Sequence, residues 1–152
     1  MFNNKYINKN IVFFIRHEND VDFILPLILK TRKRKIVFWR KINKKDPRIK
    51  YLLKINKEDV IFLSYFQRHI TVDIFLYFLN HLSNILSNNI KKIFQFIEVN
   101  SLLKCLKKNK NLLLFSEFDL IAFDHIYNDF VESIILFSKS INKNIKSISL
   151  PH

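Results

Sequence analysis

Residues Asn10–Thr31, NIVFFIRHENDVDFILPLILKT, decide the fold. The apolar run Ile11-Val12-Phe13-Phe14-Ile15 stops at Arg16-His17, and the five residues Glu18-Asn19-Asp20-Val21-Asp22 lead into an apolar stretch of helical length. A continuous β-branched and aromatic run is the pattern of a strand buried on both faces of a parallel sheet. Its carboxyl end opens directly onto a helix, and ligands of open α/β sheets bind along that edge.

Working outward, the same grammar repeats. Strand two is expected at Lys35–Arg40 (KIVFWR) and strand three at Asp59–Tyr65 (DVIFLSY). Strand four is expected at Asp119–Asp124 (DLIAFD) and strand five at Ile145–Leu150 (IKSISL). Helix one spans roughly Val21 to Thr31, capped by Asn19 or Asp20, with a bend or late start at Pro26. Asp46-Pro47 is a strong helix start, a cap residue followed by proline at the first helical position, and helix two runs to about Ile55. Thr71 is positioned to cap the long helical region Thr71–Lys110, with a break expected at Asn88-Asn89. Its phenylalanines fall at helical spacing and read as core. Asn111–Phe118 is ambiguous and reads as a connector, while a last helix covers about Asn128 to Asn142. Strands and helices in alternation specify one α/β domain of three layers, a Rossmann-like sandwich with a mostly parallel five-stranded sheet in the order 3-2-1-4-5.

Composition narrows the function. A chain of 152 residues with 49% hydrophobic side chains builds one domain with an ample core. The most apolar long stretch, Ile74–Ile90, is broken by asparagines, serines and His81 and falls short of a membrane span. MFNNKYINKN lacks the apolar centre of a secretory signal, which points to the cytoplasm. One cysteine, Cys105, leaves no internal disulfide and no cysteine zinc cluster. A formal charge of +13 invites a polyanion or an anionic membrane as partner. Lys, Asn, Ile and Phe are all encoded by A/T-rich codons, however, so part of that charge is compositional and a nucleic-acid partner is not expected. The basic turn Thr31–Lys35 reads as a solvated connection. The chain has no glycine, so it cannot form a Gly-rich loop around a nucleotide phosphate.

Strand ends one, three, four and five deliver Arg16-His17, Arg68-His69, Asp124-His125 and Pro151-His152. Parallel strands place these on one edge, so Arg16, His17, Asp20, Arg68, His69, Asp124, His125 and His152 are the candidate cleft residues. No HxxxH or HxH spacing supports a metal site, and no Gly-flanked serine supports a nucleophilic triad. Asp124 and His17 are the candidates for general acid–base work on a substrate hydroxyl.

IVFFIRHENDVDFILPLI, DPRIKYLL and DLIAFDHIYNDFVESIILFSKSINKNIKSISLPH together resemble the N-terminal half of a GT-B-type transferase. The nearest group is the CDP-glycerol glycerophosphotransferase-like and related glycosyltransferases, and UDP-N-acetylglucosamine 2-epimerases share the two-domain plan. The resemblance implies an acceptor-side domain for a cell-envelope glycan or lipid-linked polymer, peripheral on the inner membrane face. It places Arg16, His17, Asp20, Asp124 and His152 at the cleft. The nucleotide-activated donor would sit on a C-terminal domain that this chain lacks, so no cofactor site is expected here, and activity would need a separate donor-binding domain. Ending one step past strand five, the chain is expected to be a split or truncated product. The alternatives are a basic nucleic-acid-binding module and a non-catalytic α/β interaction domain of response-regulator type. The first needs exposed aromatics on the sheet, and the second an acidic pocket after strand one.

Overall fold

The computed structural model describes residues 9–82, 84–124 and 128–150. Strand β1 (Asn10–Ile15) lies at the centre of a five-stranded parallel sheet. It pairs with β2 (Lys33–Phe38) on one side and β4 (Leu120–Phe123) on the other. β3 (Val60–Phe62) flanks β2 and β5 (Lys146–Ser149) flanks β4, giving the order β3-β2-β1-β4-β5.

The alternation of side chains along β1 divides the core in two. Val12 and Phe14 join Val37, Ile121 and Phe123 beneath α4 (Asn84–Lys108) and α6 (Asp129–Ile141). Ile11, Phe13 and Ile15 join Ile36, Phe38, Leu120 and Ala122 beneath α1 (Val21–Lys30) and α2 (Pro47–Asn56). β1 is therefore apolar from Ile11 to Ile15 because both of its faces are covered there, and the result is the expected three-layer α/β sandwich. Phe14 lies between Phe115 and Phe123, with ring centroids 6.3 and 5.5 Å away.

Local chemistry sets the helix starts. Asp46 accepts a hydrogen bond from the Arg48 amide (2.9 Å) at the head of α2. Asn128 accepts from the amides of Phe130 and Val131 (3.1 Å each) at the head of α6. α1 follows a 3-10 turn at Glu18–Asp20 and continues across Pro26, so neither Asn19 nor Asp20 supplies a side-chain cap and the start is not late. His69, rather than Thr71, caps α3 (Ile70–Leu82): its carbonyl accepts from Val72 at 2.9 Å and its Nδ1 from the Thr71 amide at 3.4 Å.

Other expectations need correction. β2 begins at Lys33, because Asn10 of β1 already pairs there, and ends at Phe38. The supposed basic turn is mostly strand, and its cations are matched: Lys33 pairs with Glu117, and Lys35 lies 3.6 Å from Asp59. β3 is cut to three residues, beyond which only Leu63 still donates to the Phe38 carbonyl (2.9 Å). Asn88 and Asn89 do not break the helix. They point to solvent within α4, where their side chains have no reason to compete with the backbone. The segment left as a connector forms α5 (Lys110–Leu113) and a 3-10 turn at Phe115–Glu117, joined by Leu114 at φ 45°. With no glycine in the chain, a leucine takes this left-handed position at a cost of about 1–2 kcal/mol. Burial of Leu113, Phe115 and Phe118 on either side offsets that cost.

The largest departure is the α3–α4 hairpin. Helical periodicity assigned its phenylalanines to the core, yet Phe75, Phe78 and Phe96 are 56, 61 and 70% exposed. α3 packs on α4 and α4 on α6, so the hairpin has one covered side, marked by Leu76, Leu102 and Leu106. Its other side, including Ile74, Tyr77, Ile85 and Ile93, faces outward. No described helix is long and apolar enough to cross a membrane.

Candidate functional site

The winding of the chain reverses between β1 and β4, since β2 and β3 are added to one side of β1 and β4 and β5 to the other. A crevice at the carboxyl ends of such strands is where α/β proteins place ligands. Three of the anticipated residues meet there. The Arg16 amide, just past β1, donates to Asp124 Oδ2, just past β4. Asp124 also donates its own amide to the Phe14 carbonyl (3.4 Å). The Asp20 carboxyl lies against that of Asp124. Asp20 is itself held by the 3-10 turn, where its Oδ2 accepts from the His17 amide at 3.1 Å.

Electrostatics make Asp124 the proton-holding member. Asp124 is only 2% exposed, and burial pushes its carboxyl up to about 7, against the lowering effect of the Arg16 amide. Hydrogen bonding with Asp20 and the like charge beside it raise Asp124 further. Asp124 Oδ1 is buried with no hydrogen-bond partner among the described residues, and an oxygen so deprived of solvent and donors adds to the cost of ionising this carboxyl. Asp124 therefore holds a proton up to near neutrality, beside the more accessible carboxyl of Asp20. His17 is exposed beside them. His125 and His152 lie outside the described residues.

Arg68 and His69 play a different part. They follow β3, two strands away from β1, and support the structure. Glu98 of α4, 1% exposed, accepts the Arg68 amide at 2.8 Å and the Arg40 Nη1 at 3.4 Å, and its Oε2 lies 3.5 Å from Arg68 Nε. Arg68 Nε also reaches Asp73 at 3.2 Å. Arg40 rests over the rings of Trp39 and Phe130, 5.5 and 4.8 Å from their centroids. This buried carboxylate ties the loops after β2 and β3 to α4 and so fixes the sheet edge. Sequence reasoning missed Glu98, although it is the only acid in the 25 residues of α4.

The loops so fixed enclose a cleft of about 1060 Å³ over the ends of β2 and β3, reaching Glu18 beside the carboxyl pair. It is lined by Arg40, Lys41, Lys44 and Lys45 together with Tyr65 and Gln67. None of these was foreseen as a cleft residue, because Lys41, Lys44 and Lys45 become a concave cluster only once the fold brings the loops after β2 and β3 together. Among the described residues no group of three His, Cys, Asp or Glu could hold a metal ion. Comparison with protein-family models, with curated proteins and with solved structures finds no match.

Proposed function

We propose that this chain is the acceptor-side domain of a GT-B-type glycosyl- or glycerophosphotransferase, and that the Asp20–Asp124 pair takes the proton of the acceptor hydroxyl. The observation that carries the reading is the carboxyl pair at the β1/β4 switch, one member buried and the other accessible. The accessible Asp20 faces the acceptor, and the buried Asp124 beside it, pushed up to about 7, is poised near the working pH to hold a proton. Asp20 accepts the hydroxyl proton, and Asp124 shares the charge. The freed oxygen attacks the electrophilic carbon or phosphorus of the activated donor, and the nucleotide leaves with the bonding electrons. The donor is assigned to a second domain, as in the two-domain plan that the chain resembles, and the glycine-free chain offers it no Gly-rich backbone loop.

The test is amide-resolved NMR of the chain with two acceptor probes, a glycerol phosphate oligomer and an N-acetylglucosamine disaccharide. The expected result is a shift cluster at Arg16–Asp20 and Phe123–Asp124 with one of the probes, and about tenfold weaker binding in Asp20→Asn, a loss of about 1.4 kcal/mol. Shifts confined to other surfaces, or none with either probe, would remove the reading.

A further inference from the structure

The cleft over β2 and β3 reaches Glu18 beside the carboxyl pair, but neither Asp20 nor Asp124 lines it and it has its own chemistry. Four cations line it, and Glu18 is the one acid among its lining residues. The four are not equivalent. Arg40 is committed to Glu98 and to the rings of Trp39 and Phe130. Lys41, Lys44 and Lys45 are exposed and form no ion pair among the described residues. The nearby acid that could have matched them, Asp46, is taken by Arg48, whose guanidinium bonds it at 2.8 Å and holds its carboxyl at about 2. This contrasts with the start of β2, where Lys33 and Lys35 each face an acid.

The loop is also held in place. The Lys41 amide donates to Gln67 Oε1 (3.1 Å), and the Gln67 side-chain nitrogen donates to the Trp39 carbonyl (3.3 Å), so the loops after β2 and β3 are stitched together. Lys44 Nζ stands 4.3 Å above the Phe62 ring, which keeps the ammonium over the cleft floor. Tyr65 also lines the cleft, with its hydroxyl buried and pushed up to about 12 by that burial, so it adds no negative charge there. Unmatched cations gathered along a concave surface focus positive potential on the cavity.

We propose that this cleft binds an anion carrying two or more linked phosphoryl groups, with Lys41, Lys44 and Lys45 supplying the charge. Three ammonium groups spread along five residues match charge spread along a phosphate chain better than a single phosphate. The inference does not rest on the transferase reading: it needs neither Asp20 nor Asp124. Linked phosphoryl groups occur in soluble condensed phosphates and in the headgroups of diphosphate-bearing lipids, and the chemistry at the cleft is the same for both.

The experiment titrates the chain with inorganic tripolyphosphate, pyrophosphate and orthophosphate by calorimetry at low salt. A parallel arm measures co-sedimentation with neutral phosphatidylcholine vesicles, with and without a lipid diphosphate. The comparison protein is Lys41→Ala/Lys44→Ala/Lys45→Ala, three exposed positions whose loss leaves the core intact. Tripolyphosphate is expected to bind at least about tenfold more tightly than orthophosphate, and the triple variant to lose at least about tenfold of that affinity. A triple Lys→Arg variant should restore it. Lysine-dependent retention only on diphosphate-bearing vesicles would assign the source to a lipid headgroup, and binding of tripolyphosphate alone would assign it to a soluble anion. Absence of binding in both arms, equal affinity for orthophosphate, or binding unchanged in the triple alanine variant would overturn the proposal. Asp20→Asn should leave it unaltered, which separates its failure from that of the acceptor-side reading.

Discussion

The backbone amide of Arg16 donates to the side chain of Asp124, 108 positions further along the chain, and so joins the exits of β1 and β4. That bond holds the carboxyl pair in the switch crevice and gives stability a pH dependence. The Asp124 carboxyl is pushed up to about 7 in the folded protein from an ordinary 3.8. Between these values the folded state binds more protons than the unfolded chain, so the Asp124 contribution is fully present below about pH 4 and is lost as pH rises through 7. In Asp124→Asn this component vanishes. Thermal unfolding at pH 5 and pH 8 should show a smaller drop in Tm across the interval for the variant than for the parent, and equal drops would contradict the assignment.

Glu98 accounts for a second expectation. Removing its charge in Glu98→Gln leaves Arg40 and Arg68 facing a neutral amide in a largely buried setting. Breaking a buried pair costs about 3–5 kcal/mol, and the partial exposure of both arginines reduces this to about 2–3 kcal/mol. Denaturant unfolding measures the loss directly. A change below about 0.5 kcal/mol would mean that the arginines find other partners.

Aromatic side chains of the same type should behave in opposite ways. Phe14→Ala removes a fully buried ring stacked between two others and should cost about 3–5 kcal/mol. Phe75→Ala and Phe78→Ala, on the open side of the hairpin, should each cost less than about 1 kcal/mol in the isolated chain. Comparable losses at all three positions would show that the outer face of the hairpin is covered in solution.

These contrasts also mark what could be read from the chain alone. The sheet was legible, because a strand such as Ile11–Ile15 that is apolar on both faces has few places to go, and right-handed crossovers leave few strand orders. That Arg16, Asp20 and Asp124 lie along one edge was legible, since parallel strands bring their exits together, but the bonds that join them were not. The hairpin was not. Periodicity states that a helix has an apolar face, but not whether anything covers that face, so Phe75, Phe78 and Phe96 read like core residues. Nor were Glu98 and the three lysines legible as a unit. The acid lies 58 positions from Arg40, and the role of each group depends on loops that only the tertiary fold brings together.

The charge at the switch crevice can be measured directly. Carbon-13 NMR of the aspartate side-chain carboxyls, followed from pH 3 to pH 9, reports the ionisation of Asp124 and Asp20 individually. The account predicts that Asp124 titrates near 7 and that its midpoint falls in Asp20→Ala, without returning to an ordinary value because burial is the larger cause. An Asp124 midpoint near 4 in the parent chain, unmoved by Asp20→Ala, would contradict it.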